Sequence, residues 1–331
     1  MNAARRGALL ATLAAFALSI AVATAATDPL PSWNEGAAKT SIVRFVQNVT
    51  APGAGYVAPE RRVAVFDNDG TLWPEQPVPT ELLFVVARIR ALAPRHPAWT
   101  HEQPFAAAIR GDITTLEASG KSGLSALIGA AVTGMTTTQF DDAAKTWLAT
   151  ARNPKYHRLY ARCTYQPMIE VLDYLRANGF TTYIVSGGTN DFVRAFAQTS
   201  YGIPPDRVIG TTLQTQYRES AAGPQLVRLP KLLFIDDGAG KPEAIQRAIG
   251  VRPIAAFGNS DGDRQMLEWT AAGTPALMVV VHHTDAAREY AYDRTSKLAK
   301  LDRLLDEATA KSWTVVDMRR DWSTVFPPND L

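Results

Sequence analysis

Residues 63–71, Val-Ala-Val-Phe-Asp-Asn-Asp-Gly-Thr, set four apolar side chains directly against two carboxylates and a glycine. An apolar run that stops at turn residues offers no face to water, so it reads as a strand buried on both sides, as in the parallel sheets of α/β proteins. Ligands in such sheets bind beyond the carboxyl ends of the strands. Asp67 and Asp69 are therefore expected at the mouth of a site, and two acids this close repel one another unless a cation relieves them. A solvated Asp-Gly turn is the competing reading of the same residues.

The remaining pattern alternates helices with strands. Ile42, Val43, Phe45 and Val46 have helical spacing, ended by Pro52, Gly53 and Gly55. Thr80 reads as the cap of a helix carrying Leu82, Leu83, Val85, Val86, Ile89 and Leu92, and further helical patterns run near 105–116, 124–132 and 138–149. Almost nothing between Glu81 and His157 reads as a strand. A helix through Met168, Val171, Leu172 and Leu175 ends at Gly179. A strand at 181–185 stops at Ser186-Gly187-Gly188, a helix follows from Asp191, and paired strands are expected near 208–217 and 226–229. Pro242 opens another helix. An apolar stretch at 254–257 then runs into Gly258-Asn259-Ser260-Asp261-Gly262-Asp263, and later strands at 276–281 and 313–316 flank a helix at 297–308. This order implies an α/β fold, a mainly parallel sheet with helices on both faces. The helical block at 78–159 is an insertion into a core made of 26–77 and 160–331, and the two units would enclose a cleft over the strand ends.

Arg5 and Arg6, an uncharged Ala/Leu-rich run from Gly7 to about Val22, and Ala23-Thr24-Ala25 follow the order of an export signal cleaved near Ala25. The run is short and alanine-rich for a membrane anchor, so no span is expected in the mature chain. Cleavage lowers Lys+Arg from 34 to 32 against 32 Asp+Glu, leaving a formally neutral protein. That balance gives no electrostatic footprint for nucleic acid or an anionic membrane surface. Cys163 is the single cysteine, so an exported chain folds without an internal disulfide; a bacterial periplasm or secretion suits it. Nothing in the sequence assigns an oligomeric state.

Four separated segments place polar groups at element ends: Asp67 to Thr71, Ser186 to Gly188, Lys241, and Asn259 to Asp263. They supply acids, a hydroxyl beside flexible backbone and an ammonium. Phosphoryl transfer needs such a set: a nucleophile, a proton donor, donors for nonbridging oxygens and a divalent cation. Taken singly, Ser186 reads as a helix cap and Lys241 as a solvated side chain. Asp236 and Asp237 read as turn residues.

This ordered set resembles that of the haloacid dehalogenase-like superfamily of phosphohydrolases, in particular its phosphoserine-phosphatase-like members with a helical cap after the first motif. The resemblance covers roughly Arg61 to Leu267, cap excepted, and implies a Rossmann-like core. It implies that Asp67 attacks phosphorus to form an aspartyl-phosphate, and that Asp69 protonates the leaving alcohol and then takes a proton from water. Ser186 and the Gly187 N–H would hold nonbridging oxygens, with Thr71 adding a hydroxyl, and Lys241 would neutralise charge. Mg²⁺ would sit on the Asp67 carboxylate, the Asp69 carbonyl and the fourth motif. There the family usually has Asp and this chain has Asn259; aligned on the last acid, Asn259 is the ligand and Asp263 holds a metal-bound water, while a shifted register makes Asp261 the ligand. The implied substrate is a small phosphorylated metabolite, with specificity set by the cap.

Rival motifs fail locally. An EF-hand from Asp67 or Asp261 would need Glu where Val78 or Ala272 stands, and Gly238-Ala239-Gly240-Lys241 lacks the first glycine and the Ser/Thr of a phosphate loop. His282-His283 beside Asp285 could bind metal or substrate but reads first as a pair of exposed imidazoles, and Trp73 could stack on a substrate but reads first as packing at the cap hinge. Asp69 argues against a dehalogenase, which needs no acid for an alcohol leaving group. A phosphotransferase using the same intermediate, and a phospho-ligand-binding protein without activity, are the alternative functions.

Overall fold

The computed structural model describes residues 28–221 and 223–328, so the export-signal reading of residues 1–25 lies outside the described residues. One seven-stranded sheet organises the chain: β1 (Val63–Phe66), β2 (Thr181–Thr189), β3 (Val208–Arg218), β4 (Gln225–Phe234), β5 (Ala255–Gly258), β6 (Leu277–His282) and β7 (Thr314–Asp317). Their order across the sheet is β4-β3-β2-β1-β5-β6-β7, with β4 antiparallel to β3 and every other pair parallel.

The apolar run of β1 is buried throughout, as its lack of alternation requires. Val63 and Val65 enter the core on one face, beneath helices Gly240–Ala248, Arg264–Ala271 and Arg303–Ala310. Ala64 and Phe66 enter the core on the other, against Ala37–Thr50, Gln166–Ala177 and Asn190–Tyr201. Phe66 stacks on Phe257 of the neighbouring strand with ring centroids 4.2 Å apart. The chain builds β2 and β3 to one side of β1 and β5 to β7 to the other, so the order reverses between β1 and β5. The crevice at such a reversal is where open α/β sheets bind ligands.

Between β1 and β2 come helices Thr80–Leu92, Phe105–Arg110, Ile113–Ala118, Gly120–Val132 and Thr137–Leu148. Their apolar side chains Leu116, Leu127 and Phe140 belong to the same continuous core as Ile42 and Val46. Phe84 bridges the two parts, stacking on Phe192 at 5.3 Å and meeting Phe140 edge-on at 5.7 Å. The hairpin β3–β4 reaches over the helices: Arg228 N–H donates to the Met135 carbonyl at 2.9 Å, and Gly134 N–H to the Arg228 carbonyl at 3.0 Å. No helix among the described residues is long and apolar enough to cross a membrane.

Several boundaries depart from the sequence pattern. The helix expected over 105–116 is two, broken at Gly111 (φ +74°) and restarted where Asp112 accepts a hydrogen bond from Thr115 N–H. Thr80 is not a cap; it is buried inside its helix, which Pro79 precedes without a side-chain cap. The strand β2 runs through Ser186-Gly187-Gly188 to Thr189, with a register shift between Ser186 and Thr189, and Thr189 caps the next helix. The helix expected from 297 begins at Arg303.

Candidate active site

The ends of β1 and β5 meet at the reversal: Asp67 N–H donates to the Phe257 carbonyl at 2.9 Å, carrying the ladder one residue past the apolar run. The Asp67 side chain therefore leaves the sheet beside Asn259. Lys241, near the start of Gly240–Ala248, reaches into the same space and is buried. Its Nζ donates to Asp67 Oδ1 (2.5 Å), Asp263 Oδ1 (2.6 Å) and the Val185 carbonyl (2.8 Å), using all three ammonium protons. Asp263 is fixed in turn by the backbone N–H of Asn259 (2.9 Å) and Ser260 (3.0 Å) on its Oδ2.

Burial would pull the Lys241 ammonium down, but Asp263 and Asp67 hold it well above its ordinary range. Burial, with Asp263 opposite, pushes Asp67 up against the pull of Lys241.

Asp69 is positioned by a residue read from sequence only as hinge packing. Trp73 stacks on Phe196 at 4.3 Å, and its Nε1–H donates to Asp69 Oδ1 at 2.7 Å. Burial raises the Asp69 carboxyl, and the hydrogen bonds from Trp73 and Asn68 offset that only in part. A carboxyl raised in this way holds its proton longer, as a proton donor must.

A cavity of about 280 Å³ opens over these groups. Asp67, Asp69, Lys241 and Asp263 line it together with Gly187 and Gly188, while Pro79, Leu82, Leu124, Ile128 and Leu298 give it an apolar outer wall. Ser186, Thr71 and Asn259 are buried and do not themselves line it. Ser186 Oγ accepts from Gly188 N–H at 3.1 Å; Thr71 Oγ1 donates to Asn259 Oδ1 at 3.1 Å and lies 3.5 Å from Asp67 Oδ2. The four segments thus converge. Asp261 does not join them: its Oδ1 accepts from the backbone N–H of Asp302 (3.0 Å) and Leu304 (2.9 Å), holding the start of Arg303–Ala310. In the fourth motif it is Asn259 that faces Thr71.

Other groups here gave no readable sequence signal. Glu81, at the start of the first inserted helix, accepts from Thr189 N–H at 2.7 Å and from its hydroxyl, and burial raises it to about 7. Glu75 hydrogen-bonds Asn259 Nδ2 and Tyr292 OH. His283 is not exposed, contrary to the expectation for the His pair. Its Nε2–H donates to the Gly70 carbonyl at 2.7 Å, its Nδ1 faces Glu289 Oε2 at 3.1 Å, and Tyr292 stacks on its ring at 4.3 Å. The return of the chain at residue 292 covers the strand end where an imidazole would otherwise meet water.

Among the described residues no three His, Cys, Asp or Glu side chains gather as a metal site by themselves. A set of one carboxylate (Asp67), one backbone carbonyl (Asp69) and one amide (Asn259) does not require them. All three are oxygen donors, the chemistry that hard divalent cations take.

Asp236 behaves unlike a turn residue. It is fully buried, neither carboxylate oxygen has a hydrogen-bond partner, and burial raises it to about 7 against the pull of Lys241. A folded value above the unfolded one near 4 means this carboxyl favours the folded state below about pH 4 and loses that contribution as pH climbs to 7. Asp236→Asn should therefore melt above the parent protein at pH 8, the gap narrowing by pH 5. Thermal melts at the two pH values check this, and a gap that ignores pH contradicts it.

The model of the haloacid dehalogenase-like hydrolases matches residues 64–268. No curated protein matches the chain. Among solved structures, a conserved protein of unknown function from Anaerococcus prevotii DSM 20548 superposes with TM-score 0.57 at 16% identity, covering 84% of this chain and 91% of its own. A protein of unknown function from Bordetella pertussis Tohama I gives TM-score 0.48 at 15% identity, covering 78% and 99%. A phosphoserine phosphohydrolase-like protein from Francisella tularensis subsp. tularensis SCHU S4 gives 0.38 at 16%, covering 76% and 99%. At 16% identity the first of these speaks to the fold alone. The family match spans well over half the sequence, from β1 through the helix that follows the fourth motif, and the chain belongs to the haloacid dehalogenase-like hydrolases.

Proposed function

We propose that this hydrolase is an exported, Mg²⁺-dependent phosphomonoesterase that cleaves a small phosphorylated metabolite through an aspartyl-phosphate on Asp67. The observation that carries the proposal is the convergence of Asp67, Asp69 and Lys241 on one cavity beyond the β1 and β5 ends. Lys241, held against Asp67 Oδ1, screens the carboxylate so that an anionic phosphate can approach it.

An Asp67 oxygen forms the bond to phosphorus as the ester P–O bond breaks, and Asp69 gives its proton to the departing alkoxide. Ser186 and the Gly187 N–H donate to nonbridging oxygens, with Thr71 beside Asp67. Water then attacks phosphorus, Asp69 takes its proton, and the Asp67 carboxylate and inorganic phosphate are released. The Asp67 carboxylate, the Asp69 carbonyl and Asn259 Oδ1 would hold Mg²⁺, with Asp263 contributing to the same site. When bound, the ion neutralises charge on the phosphoryl oxygens and orients them.

The apolar outer wall would exclude water from the intermediate and favour a small leaving group over a protein surface. Export rests on the Arg5-Arg6, Ala/Leu-rich and Ala23-Thr24-Ala25 order.

The test is turnover of para-nitrophenyl phosphate by the mature protein with Mg²⁺ and after chelation, followed by a panel of small phosphoesters. Chelation should lower the rate about 100-fold or more. A rate indifferent to Mg²⁺ would remove the metal from the proposal. No turnover across the panel would favour a phospho-ligand-binding protein.

A further inference from the structure

Asn259 raises a charge problem. An amide binds a divalent cation more weakly than a carboxylate does, and Asn259 stands where the family usually has Asp. A buried carboxyl lies one hydrogen bond away. Glu75 is buried, lines the cavity, and its Oε1 accepts from Asn259 Nδ2 at 2.5 Å and from Tyr292 OH at 2.6 Å. In this contact the amide N–H donates. Nδ2 faces Glu75, and Oδ1 is turned toward Thr71 and Asp67.

The surroundings hold Glu75 in place. Tyr292, which anchors Glu75, stacks on His283, and His283 Nε2–H holds the Gly70 carbonyl. Gly70 has φ +81°, and a Cβ there would run into both Asn259 Nδ2 and Glu75 Oε1. The glycine of the first motif thus leaves the space in which the pair meets.

We propose that Glu75 is a positioning residue for the metal site: it holds the Asn259 amide so that the amide oxygen is the ligand. This rests on Asn259 being a metal ligand, as proposed above. Glu75 comes from the loop after β1 and Asn259 from the end of β5, so the arrangement also ties the two strand ends at the sheet reversal together. Partners that orient a metal ligand typically contribute about 10–100-fold to affinity.

Binding of Mn²⁺, followed by electron paramagnetic resonance on the metal-free mature protein, reads this directly and without turnover. Glu75→Gln should weaken the Kd for Mn²⁺ by about 10–100-fold. Asn259→Asp alone removes the N–H donor that Glu75 accepts from, so it should bind no tighter than the parent despite its added charge, and its metal-free form should melt lower. The double variant Glu75→Gln with Asn259→Asp exchanges donor and acceptor across the same contact. It should recover affinity to within several-fold of the parent and melt above Asn259→Asp, which a merely structural loss at either position does not predict. Unchanged Mn²⁺ affinity in Glu75→Gln, or a double variant no better than the two single losses combined, would overturn the proposal and leave the metal centre standing. A parent protein that binds no Mn²⁺ would overturn both.

Discussion

Asp67→Asn should leave a folded protein that turns over para-nitrophenyl phosphate about 10⁴-fold more slowly or worse, since losing a nucleophile commonly costs that much or more. The substitution is nearly isosteric, and the amide oxygen can still accept the hydrogen bond that Lys241 Nζ gives Asp67 Oδ1 at 2.5 Å. The neighbours of the site remain in place, because Asp263 keeps its bonds from the Asn259 and Ser260 N–H groups and Asp69 keeps its bond from Trp73. What disappears is the negative oxygen that must bond to phosphorus. Two measurements separate this from general damage. Thermal melting should stay close to that of the parent. Acid quench during turnover should trap phosphate on the parent chain, at a peptide containing Asp67, and none on the variant. Turnover that survives the substitution removes Asp67 as the nucleophile and the aspartyl-phosphate with it.

The parts of this site legible in sequence are those written in consecutive residues. β1 stands out because four apolar residues cannot face water on either side, and its end marks Asp67 and Asp69 whatever the remainder does. The sheet's α/β character follows from alternation alone. What escaped depends on partners far apart in the chain. Trp73 looked like hinge packing because nothing local says that its indole N–H will meet Asp69. Glu75 pairs with Asn259, 184 positions away, and with Tyr292, 217 positions away, so no periodicity records it. His283 was misread because an imidazole at a strand end is ordinarily exposed, and only the return of the chain through Tyr292 buries it. Asp261 was ambiguous for the opposite reason. The run from Asn259 to Asp263 holds three polar candidates, and only the helix start at Arg303, several turns of chain away, draws one of them out of the site.

Lys241→Met should be the most destabilising single change in the site at neutral pH, costing about 3–5 kcal/mol, the usual penalty for removing one member of a buried ion pair. Methionine fills much of the same volume, so the cost arises from charge. Asp67 and Asp263 are both buried, and each loses a bond of 2.5 or 2.6 Å to the ammonium. The Val185 carbonyl loses a donor as well. Two carboxyls then face one another with no cation between them, and Asp67, which burial already pushes up, should hold its proton to a higher pH than in the unfolded chain, where it ionises near pH 4. A carboxyl raised on folding stabilises the fold below its unfolded value and loses that contribution as pH rises. The deficit of Lys241→Met should therefore be largest near pH 7 and shrink as pH falls toward 4. Urea unfolding of both proteins at pH 7 and pH 5 measures it. A variant as stable as the parent at pH 7, or a deficit that grows on acidification, would mean that Lys241 does not hold the two acids together. Bound Mg²⁺ should narrow the difference, since a second cation at the same carboxylates supplies part of the charge that the lysine no longer brings.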